Sequence, residues 1–361
     1  MPRDAGSGEV APSDVPTPAE AGLDAAPLDA GGPVGLAERP SNATCRSPLV
    51  PEVGTEGLPR LLSETGCFQP QDPARPLPAL VPYEVNAPLW SDGADKDRWL
   101  ALPDGARIEI TPDGDFELPP GAVTIKLFSI GGRRVETRFF VRGEDGQWSG
   151  YTYAWNEAGT DAEVLDEGAH ERQFGDVVWR YPSRADCTNC HTPEAGFSLG
   201  LETAQLDRMF TYPGGQSASQ LATFAHIGFL ASALSPQKER PPVLPDPADE
   251  GAPLEARARG YLHANCANCH RGAPGSGSGM TDFRFTTALN ATMACDVEPR
   301  ADSLGVPNPR VIAPGDPSRS MVVVRMLELG RGRMPEIGTA VVDQAGVALV
   351  SDWIQSLAAC P

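Results

Sequence analysis

The stretch Val123-Thr124-Ile125-Lys126-Leu127-Phe128-Ser129-Ile130-Gly131-Gly132-Arg133-Arg134-Val135-Glu136-Thr137-Arg138-Phe139-Phe140-Val141 decides how the first half of the chain is read. Val123, Ile125 and Leu127 alternate with polar residues, Gly131-Gly132 offers a tight turn, and Val135, Thr137, Phe139 and Val141 alternate again. A period of two puts successive side chains on opposite faces, which describes two strands joined by a hairpin. Working outward, Gly143-Glu144-Asp145-Gly146 turns the chain into Tyr151, Tyr153 and Trp155, while Asp104-Gly105 and Asp113-Gly114 mark earlier turns. Short strands at this spacing, from about Leu100 to Tyr181, predict an antiparallel sandwich or small barrel within a β-rich domain over 41–180.

After Pro182 the strand signal fades and helical pieces take over. Leu254, Ala258, Tyr261 and Leu262 recur on one helical face, with a proline and an acid in the first turn. Asp343 suits an N-cap, and Val350, Trp353, Ile354 and Leu357 form a second stripe. A further helix is expected over Ser219–Leu230. The predicted fold class is therefore α+β and multidomain, the β-sandwich or barrel being followed by mainly α-helical domains over 181–250 and 251–361. Residues 1–40 hold almost no large apolar side chains and are expected to form a disordered acidic tether.

The 361 residues carry a formal charge of −19, which excludes nucleic acid as a partner because binding a phosphate backbone needs clustered Lys and Arg. Basic electron-transfer proteins would instead be steered towards the chain. No run of about 18 uncharged apolar residues occurs, so no transmembrane segment is expected. Met1-Pro2-Arg3-Asp4 does not open a signal peptide, so an export signal, or the lipidated cysteine of a lipoprotein, is expected upstream.

Of eight cysteines, four lie in two Cys-x-x-Cys-His units, Cys187/Cys190/His191 and Cys266/Cys269/His270. In such a unit the two thiols add across haem vinyl groups and the histidine ligates the iron. Chance matches expected from this composition number on the order of 10⁻³, so two complete units point to two covalently bound haem c groups. A zinc ribbon would bring its second pair within about 15–20 residues, and a redox dithiol needs only one pair beside a βαβ unit. The isolated cysteines Cys45, Cys67, Cys295 and Cys360 allow three pairings, of which Cys45–Cys67 and Cys295–Cys360 keep each bond within one expected domain. Around the second unit, the order of helix, haem unit, Met334-Pro335 and a closing helix with Trp353 is that of a small class I cytochrome c domain, with Met334 as distal ligand. For the first unit the distal ligand is His226 or Met209, or else the position is open or filled by another group. His170 and His263 are read as non-ligands. No nucleophile elbow, phosphate-binding glycine loop or helix-borne His-Glu-x-x-His is present, so no catalytic residues are assigned.

Six segments resemble a group of bacterial dihaem c-type cytochromes that occur alone or fused to quinoprotein domains similar to glucose/sorbosone dehydrogenases. These are Leu62-Ser63-Glu64-Thr65-Gly66-Cys67-Phe68, Pro88-Leu89-Trp90-Ser91-Asp92-Gly93-Ala94, Tyr181-Pro182-Ser183, Gln220-Leu221, Arg257-Ala258-Arg259-Gly260-Tyr261-Leu262 and Met334-Pro335. The resemblance implies haem binding, export to the periplasm or an outer-membrane anchor, and electron transfer, with the haem cysteines and histidines carried over onto both units. No quinoprotein domain accompanies them here, so a sugar dehydrogenase donor would be a separate chain. The competing expectations are a peroxidase-like dihaem enzyme with one open iron position, and a β-domain binding module whose haems report redox state.

Overall fold

The hairpin read from Val123–Val141 forms the middle of a six-stranded antiparallel sheet. A computed structural model describes residues 33–41, 45, 58–166, 168–236, 239–272, 280–336 and 338–361. Along the chain run β1 (Phe68–Gln69), β2 (Asp72–Pro76), β3 (Val81–Pro82), β4 (Asp95–Ala101), β5 (Glu109–Ile110), β6 (Phe116–Glu117) and β7 (Val123–Ile130). Then come β8 (Arg133–Arg142), β9 (Trp148–Trp155), β10 (Ala162–Val164), β11 (His170–Phe174), β12 (Val177–Tyr181), β13 (Met209–Thr211) and β14 (Ser217–Ser219). The large sheet has the order β10-β9-β8-β7-β4-β3, and the remaining strands pair as two-stranded ribbons.

The two faces of this sheet do different things. Trp99, Val123, Ile125, Leu127, Phe139, Val141, Tyr153 and Trp155 pack on one side with Leu62, Phe68 and the Cys45–Cys67 disulfide in a buried core. Thr124, Lys126, Phe128, Arg138 and Phe140 lie on the other side and line a cavity. Among the described residues the sheet stays open, with β3 and β10 as its edges, and the other strands pair only as two-stranded ribbons, so neither a closed barrel nor a second sheet to complete the expected sandwich is formed.

The expectation of mainly α-helical domains is likewise overturned. Among the described residues there are six α-helices of 4 to 13 residues: α1 (Arg184–Cys190), α2 (Thr203–Leu206), α3 (Gln220–His226), α4 (Leu254–Cys266), α5 (Met321–Leu327) and α6 (Gln344–Ser356). Stops are close together in this half of the chain. Helix α3, expected over Ser219–Leu230, is capped by Ser219 and ends at His226 because Gly228 turns into the left-handed region at φ 69°. Residues 181–250 share the core of the β-rich part, where Leu201, Leu206, Leu221 and Phe224 pack with Val81, Tyr83, Leu100, Ile108 and Phe116. Residues 33–40, expected within the tether, dock on the same region, where Arg39 donates to the carbonyls of Pro103, Ala106 and Gly228. The rest of that expected tether, 1–32, lies outside the described residues.

Towards the C-terminus, α4 and α6 cross with Tyr261, Leu262, Val350, Trp353 and Ile354 buried between them. Gly346 makes the close approach possible, since a Cβ there would stand 2.4 Å from the Tyr261 ring. Gly260 on α4 faces Pro245, whose carbonyl oxygen would lie 3.2 Å from an added Cβ. Asp343 caps α6 by accepting from Gly346 N at 2.9 Å, and Cys295–Cys360 ties the chain's end back to this part. Among the described residues no helix is long and apolar enough to cross a membrane.

Candidate functional site

Helix α1 carries the first Cys-x-x-Cys-His unit onto the sheet. Ser183 opens it with a reciprocal capping box, accepting from Asp186 N at 3.1 Å while Asp186 accepts from Ser183 N at 3.0 Å. Cys187 then lies on Gly150 of β9, where a Cβ would come within 2.3 Å of its sulfur. The helix stops at His191, whose ring is 3.9 Å, centroid to centroid, from Phe140. His191 Nδ1 lies 2.5 Å from the Phe197 carbonyl oxygen. A carbonyl only accepts, so Nδ1 holds the proton and Nε2 keeps its lone pair, the tautomer a metal-ligating imidazole needs. Burial, reinforced by Lys126, pushes the imidazole down to about 3, which keeps it neutral.

The second unit follows from the end of α4. Cys269 N and His270 N both bond back to the Cys266 carbonyl, at 3.1 and 2.9 Å, so the unit closes as one turn. The His270 ring meets Phe283 edge-on at 5.5 Å. All four cysteines of the two units keep their thiols. Burial, with Cys269 adding to it, pushes the Cys190 and Cys266 thiols up to about 11 and about 12, and burial also raises Cys187 and Cys269. These are neutral thiols, unlike the activated thiolate of a redox dithiol.

The two units meet. Thr192 Oγ1 donates to the Asn268 carbonyl at 3.2 Å, and Cys269 Sγ contacts the Asn189 carbonyl at 3.4 Å, joining residues 76 and 80 positions apart. All six motif residues, together with Met334, border one cavity of about 570 Å³. That size falls within the range of roughly 300–1,000 Å³ usual for cofactor sites. Among the described residues no three His, Cys, Asp or Glu side chains converge as a metal-holding group, so the units do not pool their ligands around one ion as a zinc ribbon does. The thiols, the fixed His191 tautomer and the shared cavity fit covalent haem.

Met334 reaches this cavity on a loop held from the β-rich side. Buried Asp92 accepts from Ala340 N at 2.7 Å and Val341 N at 2.8 Å, and Trp90 Nε1 donates to the Val341 carbonyl at 3.0 Å. Trp90 N in turn donates to Asn265 on α4 at 2.7 Å. These contacts were not foreseen, although both residues belong to the Pro88–Ala94 segment singled out by its resemblance.

The two residues proposed for the distal side of the first unit are not brought to the cavity. His226 is exposed at the end of α3, with Nε2 3.0 Å from the Ala37 carbonyl, and Met209 is exposed on β13. His263 has both ring nitrogens occupied, one facing Glu202 at 2.9 Å and the other accepting from Phe285 N at 2.9 Å. His170 bonds Asp166 on the surface at 2.7 Å. Sequence reasoning also missed Lys96, Arg98, Lys126 and Arg138, which line the cavity from β4, β7 and β8. Their alternation with apolar residues reads as a solvent face; only the helices packed over it make it an interior one.

No family model, curated protein or solved structure matches this chain.

Proposed function

We propose that the chain is an exported dihaem c-type cytochrome that carries electrons, with one haem attached at Cys187 and Cys190 and the other at Cys266 and Cys269. The observation that carries this reading is that two complete Cys-x-x-Cys-His units border a single cavity. Each haem would supply a one-electron iron couple. The residues around it do the rest: His191 and His270 present proximal imidazoles, Met334 offers a thioether to the second site, and Phe140 excludes water beside His191. Contact between the units at Asn189, Thr192, Asn268 and Cys269 gives electrons a short route between the two sites.

Two disulfides favour an oxidising compartment such as the periplasm. The −19 charge favours a basic redox partner, and a separate periplasmic dehydrogenase, including a quinoprotein sugar dehydrogenase, suits the donor role. A second reading, a dihaem enzyme with one open iron position, gains support from the placement of His226 and Met209 away from the cavity. The spectrum of the oxidised protein separates the two readings. A carrier is expected to be low-spin at both irons, whereas a high-spin fraction amounting to one haem that responds to added peroxide would favour the enzyme.

A further inference from the structure

The cavity floor is a row of cations that the chain itself neutralises only in part. In the sheet register Arg98 on β4 stands opposite Lys126 on β7, and Lys126 stands opposite Arg138 on β8. Directly opposed side chains have their Cβ atoms only about 4.5–5.5 Å apart, and like charges so placed destabilise a sheet. Lys96 lies two residues along β4 on the same face.

Of these four, Arg138 has a counter-charge, bonding both oxygens of buried Glu136 at 2.7 and 2.9 Å. Glu136 is further occupied by Thr152 Oγ1 and Trp179 Nε1, at 3.2 and 3.0 Å. Lys96 donates to the Leu89 carbonyl and Arg98 to the Lys96 carbonyl, which are neutral acceptors. Among the described residues none of Lys96, Arg98 and Lys126 forms an ion pair. Four acids border the cavity, Asp92, Asp186, Glu194 and Glu336, and none forms an ion pair with the row; Asp92 also accepts from the Ala340 and Val341 amides and Asp186 from the Ser183 amide. Asp92 beside Lys96, and Glu84 and Asp97 near Arg98, offset part of this charge without forming ion pairs, while Lys126 stands between Arg98 and Arg138, so the row remains costly to hold in the interior. Rows that break a local rule of sheet pairing are expected at functional sites, where the cost is offset elsewhere.

We propose that Lys96, Arg98 and Lys126 form a carboxylate-binding floor that holds the two propionate side chains of the haem on the first unit. This rests on the dihaem reading. The same cations would accept the carboxylates of a free organic acid, so the test separates these sources.

Holoprotein is prepared with Lys126→Gln, Lys126→Arg and, as a second neutralising change, Arg98→Gln. Haem content is measured first, then reduction potentials with and without succinate. Removing a cation beside the haem favours the ferric state. Propionate binding is expected to lower one haem's potential in both Gln variants by a tenfold shift in the reduction equilibrium, 59 mV for one electron, with Lys126→Arg close to wild type and succinate without effect. Saturable movement of the wild-type potential by succinate, lost in Lys126→Gln, would support the carboxylate site but assign it to a free acid. Two haems per chain with unchanged potentials in both Gln variants and no response to succinate would overturn the inference. Fewer than two haems in the wild type would overturn the underlying reading instead.

Discussion

Gly150 shows how far a single side chain can decide attachment. Any Cβ there would collide with Cys187, so Gly150→Val must push α1 off β9. Overpacking of this kind costs about 1–3 kcal/mol, and its chemical consequence is larger because the thiol is displaced from the cavity. The variant is expected to hold one haem per chain by pyridine haemochrome assay; two haems would show that α1 tolerates displacement. Glu202 and His263 form a second residue-scale feature, at 2.9 Å. Burial alone would raise the Glu202 carboxyl, but His263 and Arg271 pull it below its ordinary value of 4.5. A carboxyl depressed on folding contributes stability that is fully present above its unfolded value and is lost as pH falls through its folded value. Since His263 Nδ1 accepts from Phe285 N, its Nε2 donates to Glu202, and a hydrogen bond to a charged group is worth about 1.5–3 kcal/mol. Denaturant titrations should therefore show Glu202→Gln less stable than wild type near neutrality, with the gap narrowing below pH 4.5; a constant gap would deny the charge its role.

At the scale of elements, the loop carrying Met334 is positioned by a segment almost 250 residues earlier in the chain. Asp92 and Trp90 grip Ala340 and Val341, so the β-rich part sets where the Met334 loop stands at the cavity. Asp92→Ala is expected to weaken the long-wavelength sulfur-to-iron band of the oxidised protein, and Met334→Ala to abolish it, with both haems still attached. Retention of the band in Met334→Ala would remove Met334 from the ligand set, and an unchanged band in Asp92→Ala would deny the clamp. Much of the local structure was legible in the sequence, because strand alternation, Gly131-Gly132 and the caps at Ser219 and Asp343 are all signals carried by neighbouring residues. Contacts such as Asp92 with Val341 leave no local trace. The helical expectation failed for a related reason: an apolar stripe of four residues specifies one helix, and whether helices assemble into a domain depends on the Gly- and Pro-rich chain between them. Lys126 was legible as a polar strand residue, but its burial depends on elements that come later in the chain.

For the whole molecule, one sheet serves two interiors, an apolar core on one face and a cation-floored cavity on the other. The two Cys-x-x-Cys-His units come together over the second face although 79 positions separate His191 from His270. The contact between Thr192 and Asn268 joins the two units directly. The central claim is that each unit carries its own covalent haem. Intact-mass measurement of the chain, purified from a host with c-type maturation and paired with a pyridine haemochrome assay, tests it most directly. A mass increase equal to two haems is expected in the wild type and one haem in the Cys187→Ala/Cys190→Ala variant, while a wild-type chain that carries no covalent haem, or only one, would contradict the dihaem reading.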